Sequence, residues 1–269
     1  MSYIYNLPYV FQLRKSCIVA FEDKTLLGNN RTKNTNQTKK TDENDWSESS
    51  RKRMKKTIQK WEYYLTHNYN QSKKEIAFIT LTISSKMKPE IDHNRMLKYF
   101  LEKLQYTIGK FNYIWKLEFQ ENGNIHWHIM QDKTVDWKVV RGIWNNTQKE
   151  YVDEYQIKMK TKYKNGFYYD KNMKDKNGKI IEKEIQEKRY KQGRKANWRN
   201  PNSTDVKIIT EKEYNQIGNY INKYITKKEE EKQIKTEIKI NRYWSCNKEL
   251  TKIKYPTITE EQLTNIEIS

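Results

Sequence analysis

The spacing of apolar residues predicts that strands and helices alternate through the middle of the chain. Strands are expected where β-branched or alternating apolar residues lie between turn signals, over residues 77–84, 113–120, 125–131, 152–159 and 205–210. Helices are expected where apolar side chains recur every three to four residues behind a capping residue, over residues 93–108, 137–144 and 210–228. The caps are Asp92, Asp136 and a capping box formed by Thr210 and Glu213. This order predicts an α+β fold, with a central antiparallel sheet and helices packed mainly on one face.

Polar stretches divide the chain into an N-terminal extension (residues 1–70), a central domain (71–228) and an irregular C-terminal tail (229–269). Within the extension, residues 1–23 predict a short strand or hairpin. Residues 24–50 predict a loop or disorder, because they carry almost no large apolar side chains. A basic helix is expected over residues 50–67. The central domain includes a basic insertion at about 160–203, for which a hairpin is expected.

The chain is strongly basic, with 53 Lys and Arg against 34 Asp and Glu and a formal net charge of +19. Such an excess makes a polyanion the first partner to consider, because each neutralised phosphate releases counterions. The 20 Tyr and 8 Trp supply rings on which unpaired bases stack. Tyr is also common in half-buried positions of sheets, and an AT-rich genome also enriches Lys and Asn. Composition therefore favours a nucleic-acid ligand without establishing one.

Nothing in the sequence indicates export or a membrane span. The two cysteines, Cys17 and Cys246, form neither a disulfide framework nor a CxxC metal pair, which favours a reducing compartment. The longest apolar run, residues 76–83, is far too short to cross a bilayer. The N-terminus lacks the architecture of a signal peptide. We therefore expect an intracellular protein without a membrane partner.

The strongest local motif is His126-Trp127-His128. On a strand, residues i and i+2 point to the same face, so the two imidazoles converge while the indole turns away. Neutral imidazole is a common ligand of divalent metals. Glu118, on the neighbouring predicted strand, can complete a three-ligand site with open positions, which is typical of catalytic metals. The alternatives are histidines that merely pack and a Glu118 that pairs with a lysine; Glu121 is a weaker carboxylate candidate because it lies in the turn.

A second motif doubles the unit Tyr-x-x-Lys. On the predicted helix, Tyr220 and Tyr224 lie one turn apart on one face, as do Lys223 and Lys227. A phenol is a poor nucleophile near neutral pH, but a metal and nearby cations can stabilise the charge that develops when it attacks a phosphate. The alternative is an amphipathic helix with tyrosines against the core and lysines reaching water.

Together these motifs resemble the HUH endonuclease superfamily, in which U is a hydrophobic residue. Residues 78–82 are similar to the first motif of that superfamily, His126-Trp127-His128 to the HUH motif, and residues 220–227 to the two-tyrosine form of the tyrosine motif. The tyrosines follow the histidines, as in rolling-circle replication initiators. Residues 113–116, 201–206 and 242–246 are similar to flanking segments of initiators from small single-stranded-DNA phages.

The resemblance implies a five-stranded antiparallel sheet with the histidines at its centre. It implies Mg²⁺ or Mn²⁺ bound by His126, His128 and Glu118, and a tyrosine that nicks DNA and stays attached to the 5′ end. Tyr220 and Tyr224 would be the nucleophiles, with Lys223 and Lys227 steadying the phosphate. Thr80 and Thr82 are expected either to contact DNA or to pack within a central strand.

The implied partners are a single-stranded DNA origin, a host helicase and a host DNA polymerase in the bacterial cytoplasm. A helicase partner is expected because the sequence lacks the GxxxxGK[ST] motif of an ATPase. Two rival functions remain. One is a transposase of the same superfamily, and the other is a nonenzymatic protein that binds single-stranded nucleic acid.

Overall fold

A computed structural model describes residues 9–13, 18–22, 47–67, 76–120, 122–175, 178–209, 240, 242–255 and 257–259. The strands in this part of the chain are β1 (Tyr9–Leu13), β2 (Ile18–Glu22), β3 (Ile76–Thr82), β4 (Tyr113–Phe119), β5 (Ile125–Gln131), β6 (Thr204–Ile209), β7 (Trp244–Cys246) and β8 (Thr257–Thr259). The helices are α1 (Glu48–His67), α2 (His93–Ile108), α3 (Trp137–Thr147), α4 (Lys149–Lys162), α5 (Lys183–Lys195) and α6 (Lys248–Lys252).

The chain divides into two compact units, of which the smaller contains β1, β2, α1, α6 and β8. In this unit β1 lies between β2 and β8 in a three-stranded sheet, and both pairs are antiparallel. The hairpin expected within residues 1–23 is therefore confirmed. Helix α1 lies where the basic helix was expected and begins two residues earlier. Of the expected loop over residues 24–50, positions 24–46 lie outside the described residues.

The larger unit is built on a five-stranded antiparallel sheet in the order β6-β3-β5-β4-β7, which confirms the α+β fold. Strand β5 is the central strand, so the two histidines lie in the middle of the sheet as the resemblance implied. The predicted turn joins β4 to β5: the Gly123 amide donates to the Gln120 carbonyl at 2.8 Å, and Gly123 has a φ of 81°. A positive φ of this kind is readily adopted by glycine.

Helices α2 and α3 supply much of the apolar core on one face of this sheet. Both begin at their predicted caps, where Asp92 accepts from the Arg95 amide and Asp136 accepts from the Lys138 amide. Phe100 of α2 meets Trp144 of α3 edge to face, and Trp144 meets Trp127 of β5 in the same way. All three of these rings are fully buried. The core therefore holds the middle residue of the His126-Trp127-His128 motif in place.

The prediction of a strand over residues 152–159 is wrong. These residues lie within helix α4. Tyr151, Tyr155 and Met159 recur every four residues, so this helical period prevails over the β-branched character of Val152 and Ile157.

The C-terminal tail and the basic insertion also differ from expectation. The expected irregular tail contributes β7, α6 and β8. The basic insertion contains α5 and a single β-bridge between Lys174 and Ile180 in place of an extended hairpin. The helix expected over residues 210–228 lies outside the described residues. No helix in the described part of the chain is long and apolar enough to cross a membrane.

Candidate functional site

Strand register gathers six polar side chains on the sheet face opposite Trp127. In β5, His126 and His128 alternate with Trp127, which is buried in the core. Across β3, Thr82 lies opposite His126 and Thr80 opposite His128. Across β4, the partners are Glu118 and Lys116, respectively. Two rows of three residues therefore run across the centre of the sheet, as the alternation of side chains on strands requires.

Both threonines contact the histidines. The Thr82 hydroxyl oxygen lies 2.8 Å from Nδ1 of His126, and that of Thr80 lies 3.4 Å from Nδ1 of His128. Gln120 also approaches Nδ1 of His126, at 3.3 Å from its side-chain nitrogen. When a hydroxyl oxygen accepts the Nδ1 proton, Nε2 keeps its lone pair for a ligand. In this structure the threonines therefore act on the imidazoles, a role that the sequence did not suggest.

The Glu118 carboxylate lies between two donors. One of its oxygens is 3.1 Å from Nε2 of His128, and the other accepts from the Lys116 ammonium. Burial opposes ionisation of Glu118, but the hydrogen bond from His128 and the charge of Lys116 outweigh it, so its pKa lies well below the usual range. Glu118 is therefore a carboxylate at neutral pH.

His126 is neutral under the same conditions. Burial lowers its pKa to about 4, and the neighbouring His128 lowers it further while Glu118 opposes the shift. The two imidazole rings lie 4.6 Å apart between centroids. Neutral imidazole is the form that binds metals, so the electrostatics keep His126 ready for a cation.

The donor types at this site fit Mn²⁺ or Mg²⁺, because two imidazoles and a carboxylate lie side by side on adjacent strands. As placed, the described residues include no group of three His, Cys, Asp or Glu side chains arranged to hold a metal ion. Glu118 is instead engaged by Lys116, whose side chain is only 1% exposed. The sequence placed Lys116 on the same strand face as Glu118 but carried no sign of this burial.

Trp144 anchors the edge of the site from the core. Its indole N–H donates to the carbonyl of Thr82 at 2.9 Å. Gln148, which follows α3, accepts from the Ser84 amide and donates to the Ser203 hydroxyl. These bonds fix the end of β3, and with it the hydroxyl that contacts His126. Neither anchoring role is indicated by the sequence.

The second predicted motif cannot be compared with this geometry, since Tyr220, Lys223, Tyr224 and Lys227 lie outside the described residues. The same holds for Glu121, the weaker carboxylate candidate. Of the predicted site residues, the structure therefore brings together Thr80, Thr82, Glu118, His126 and His128.

The fold and the site define an α+β protein with a histidine–carboxylate cluster on the central strands of an antiparallel sheet. The chain belongs to the family of the replication-associated protein ORF2, whose family model matches residues 76–229. This makes it a replication-associated protein, and the matched segment contains both the histidine cluster and the paired tyrosines. Comparisons with curated proteins and with solved structures give no match.

Proposed function

We propose that this protein is a replication initiator of the HUH type, which nicks single-stranded DNA and remains linked to the 5′ end. The observation that carries the proposal is the cluster of His126, His128 and Glu118 on the central strands of a replication-associated protein. Its ionisation supports the assignment, since a neutral His126 and an ionised Glu118 form a donor set for a divalent cation. The order of the histidine and tyrosine motifs along the sequence supports an initiator.

In this proposal His126, His128 and Glu118 hold Mg²⁺ or Mn²⁺, which polarises the scissile phosphate. Thr80 and Thr82 keep the imidazoles oriented, and Lys116 balances the charge of Glu118. The phenol oxygen of Tyr220 or Tyr224 attacks phosphorus, and the bond from phosphorus to the 3′ oxygen breaks. The phenol loses its proton and the leaving 3′ oxygen gains one. One phosphodiester replaces another, so the strand can be rejoined without ATP.

Two tyrosines suit a reaction that is run twice. On the predicted helix their Cβ atoms would be about 6 Å apart, so either phenol can reach one phosphate in turn. One tyrosine would hold the old 5′ end while the other cuts the newly made junction. Lys223 and Lys227 would steady the phosphate. A host polymerase would extend the released 3′-OH, and a host helicase would unwind the duplex.

A covalent-adduct assay tests the proposal directly. Single-stranded oligonucleotides tiling the replicon that carries the gene are labelled at the 3′ end, incubated with protein and Mn²⁺, and run on a denaturing gel. We expect a protein-linked band that EDTA abolishes and excess Mn²⁺ restores. We also expect the 5′-labelled oligonucleotide to give a shorter free fragment that a polymerase extends.

Variants assign the roles. His126→Ala or His128→Ala should abolish the adduct while single-strand binding largely persists, because binding depends on the general positive charge. Tyr220→Phe and Tyr224→Phe should each retain some cleavage, and the double variant should form no adduct. Tyr106→Phe is the matched control, because Tyr106 is 89% exposed on α2. An adduct in EDTA would overturn the metal assignment, and an adduct from the double variant would overturn the nucleophile. Binding without any adduct would favour a nonenzymatic binding protein.

A further inference from the structure

A second candidate site lies in the larger unit, in a cavity of about 650 Å³. Helices α4 and α5 and residues 198–202 form most of its walls, so it is built largely from the basic insertion. Ser84 also lines it and follows Thr82 by only two residues, or about 7 Å of extended chain. The cavity therefore begins close to the end of β3 at which Thr82 contacts His126.

Aromatic rings form one wall of the cavity. Tyr163 and Trp198 are stacked, with centroids 5.1 Å apart and planes 7° from parallel. Tyr190 packs against both, at 5.0 Å from Tyr163 and 5.8 Å from Trp198. A fourth ring, that of Tyr155, also faces the cavity, and burial raises the pKa of its phenol. Such a wall offers π-surface to a planar ligand.

An uncommon backbone conformation holds this wall in place. Asn197 and Trp198 have φ values of 48° and 57°, in the left-handed region that bulky residues rarely adopt. The Trp198 amide donates to the carbonyl of Gly193 at 2.8 Å, and its indole covers that glycine. A Cβ on Gly193 would lie 1.9 Å from Cζ3 of the indole. Strain of this kind clusters at binding and active sites, where it fixes a side chain in position.

The charge of the cavity is entirely positive. Its lining includes Arg141, Lys158, Lys162 and Arg189 and contains no aspartate or glutamate. Within the described residues none of these four cations forms an ion pair with a carboxylate; Arg141 donates to the side-chain carbonyl of Asn202 at 2.7 Å. Amide side chains and cations beside aromatic rings match a nucleotide, which combines a flat base with a phosphate anion. The volume is also that of a typical ligand site.

We propose that this cavity binds one unpaired nucleotide of the DNA strand that reaches the histidine cluster. The base lies among Tyr155, Tyr163 and Tyr190, and the adjoining phosphate is bound by Arg141 and Arg189. Only an unpaired base can enter such a cavity, so the site discriminates between single strands and duplex. This inference rests on the proposed function, because it takes the nicked strand as the ligand. It gives the basic insertion a role in positioning substrate.

The first test removes two exposed cations from the cavity. The variant Lys158→Ala/Arg189→Ala is compared with Lys160→Ala/Lys188→Ala, which loses the same charge from exposed positions outside the lining. Binding of a fluorescent 20-nucleotide oligo-dT is measured in EDTA, where cleavage cannot contribute. We expect about tenfold weaker binding for the cavity variant and a salt slope reduced by about 1.4, with smaller changes in the control. Equal losses in the two variants would overturn the proposal.

The second test places the base. The same oligonucleotide carrying 5-iododeoxyuridine is irradiated at long wavelength, and crosslinked peptides are identified by mass spectrometry. We expect crosslinks within residues 155–163 or 190–198, and their loss in the Lys158→Ala/Arg189→Ala variant. Crosslinks that map only elsewhere would overturn the cavity assignment. Adduct formation at saturating oligonucleotide is the separate measure of nicking, so a failed cavity with an intact adduct leaves the proposed function standing.

Discussion

At the scale of single residues, the hydroxyls on β3 change how the histidines are understood. The 2.8 Å contact from Thr82 to Nδ1 of His126 orients the ring and selects the nitrogen that faces a ligand. Groups that hydrogen-bond to a metal-bound imidazole typically contribute about 10- to 100-fold to metal affinity. The role of Thr82 in the proposed site is therefore to position His126.

We expect Thr82→Val to lower Mn²⁺ affinity by about 10- to 100-fold, because valine keeps the shape but removes the hydroxyl. Isothermal titration calorimetry with Mn²⁺ is the measurement. Thr82→Ser should retain the affinity. Thr107→Val is the matched control, since the Thr107 hydroxyl only donates to the Lys103 carbonyl on α2. Unchanged affinity in Thr82→Val would show that this hydroxyl does not orient a metal ligand.

At the scale of elements, the turn between β4 and β5 determines whether Glu118 and His126 are opposite each other. A slip of one residue would turn one strand's polar side chains into the core, so the register of this hairpin defines the site. Gly123 closes the turn with a φ of 81°, and no atom lies within 4 Å of the position its Cβ would take. A substitution there strains the backbone without creating a clash.

We expect Gly123→Ala to lower the free energy of unfolding by about 1 to 2 kcal/mol, the cost of a left-handed conformation. It should also weaken Mn²⁺ binding, because the strained turn shifts Glu118 relative to His126. Gly178→Ala is the matched control: Gly178 has the same φ of 81° and equally open surroundings, but lies in the basic insertion. Urea unfolding and Mn²⁺ titration of both variants provide the comparison. An equal effect on Mn²⁺ binding in both would separate the turn from the site.

Elements with both a period and a boundary signal were predictable from the sequence. Helices α2 and α3 have apolar faces and aspartate caps, and β4 and β5 alternate on either side of an Asn-Gly turn. Helix α5 was missed because its 13 residues carry few apolar side chains. Strands β7 and β8 have only three residues each, too few for alternation to be recognised.

At the scale of the whole molecule, the charge of +19 determines how the protein meets DNA. Counterion release gives single-strand binding a slope of about −0.7 in log K against log salt for each phosphate contact. With several contacts, we expect affinity for oligo-dT to fall at least about tenfold between roughly 50 and 200 mM NaCl. Fluorescence anisotropy in EDTA measures this. An affinity independent of salt would mean that the excess charge lies away from the binding surface.

The histidine cluster and the cavity differ in how far the sequence could indicate them. His126, His128 and Glu118 lie within eleven consecutive positions, so strand alternation and one turn are enough to place them together. The cavity joins Arg141 of α3 to Trp198, which is 57 positions further along. No local pattern relates two such residues, and a basic, polar composition resembles a solvated loop.

The indole that lies over Gly193 also links two positions in evolution. Because a single methyl at position 193 would meet the Trp198 ring at 1.9 Å, neither residue can change freely while the other stays. Homologues should therefore fall into two groups, one with glycine and a large ring and another in which a larger residue at the first position accompanies a smaller one at the second. Lineages that crossed between these groups would have passed through the smaller side chain at the second position first, since that order avoids the clash.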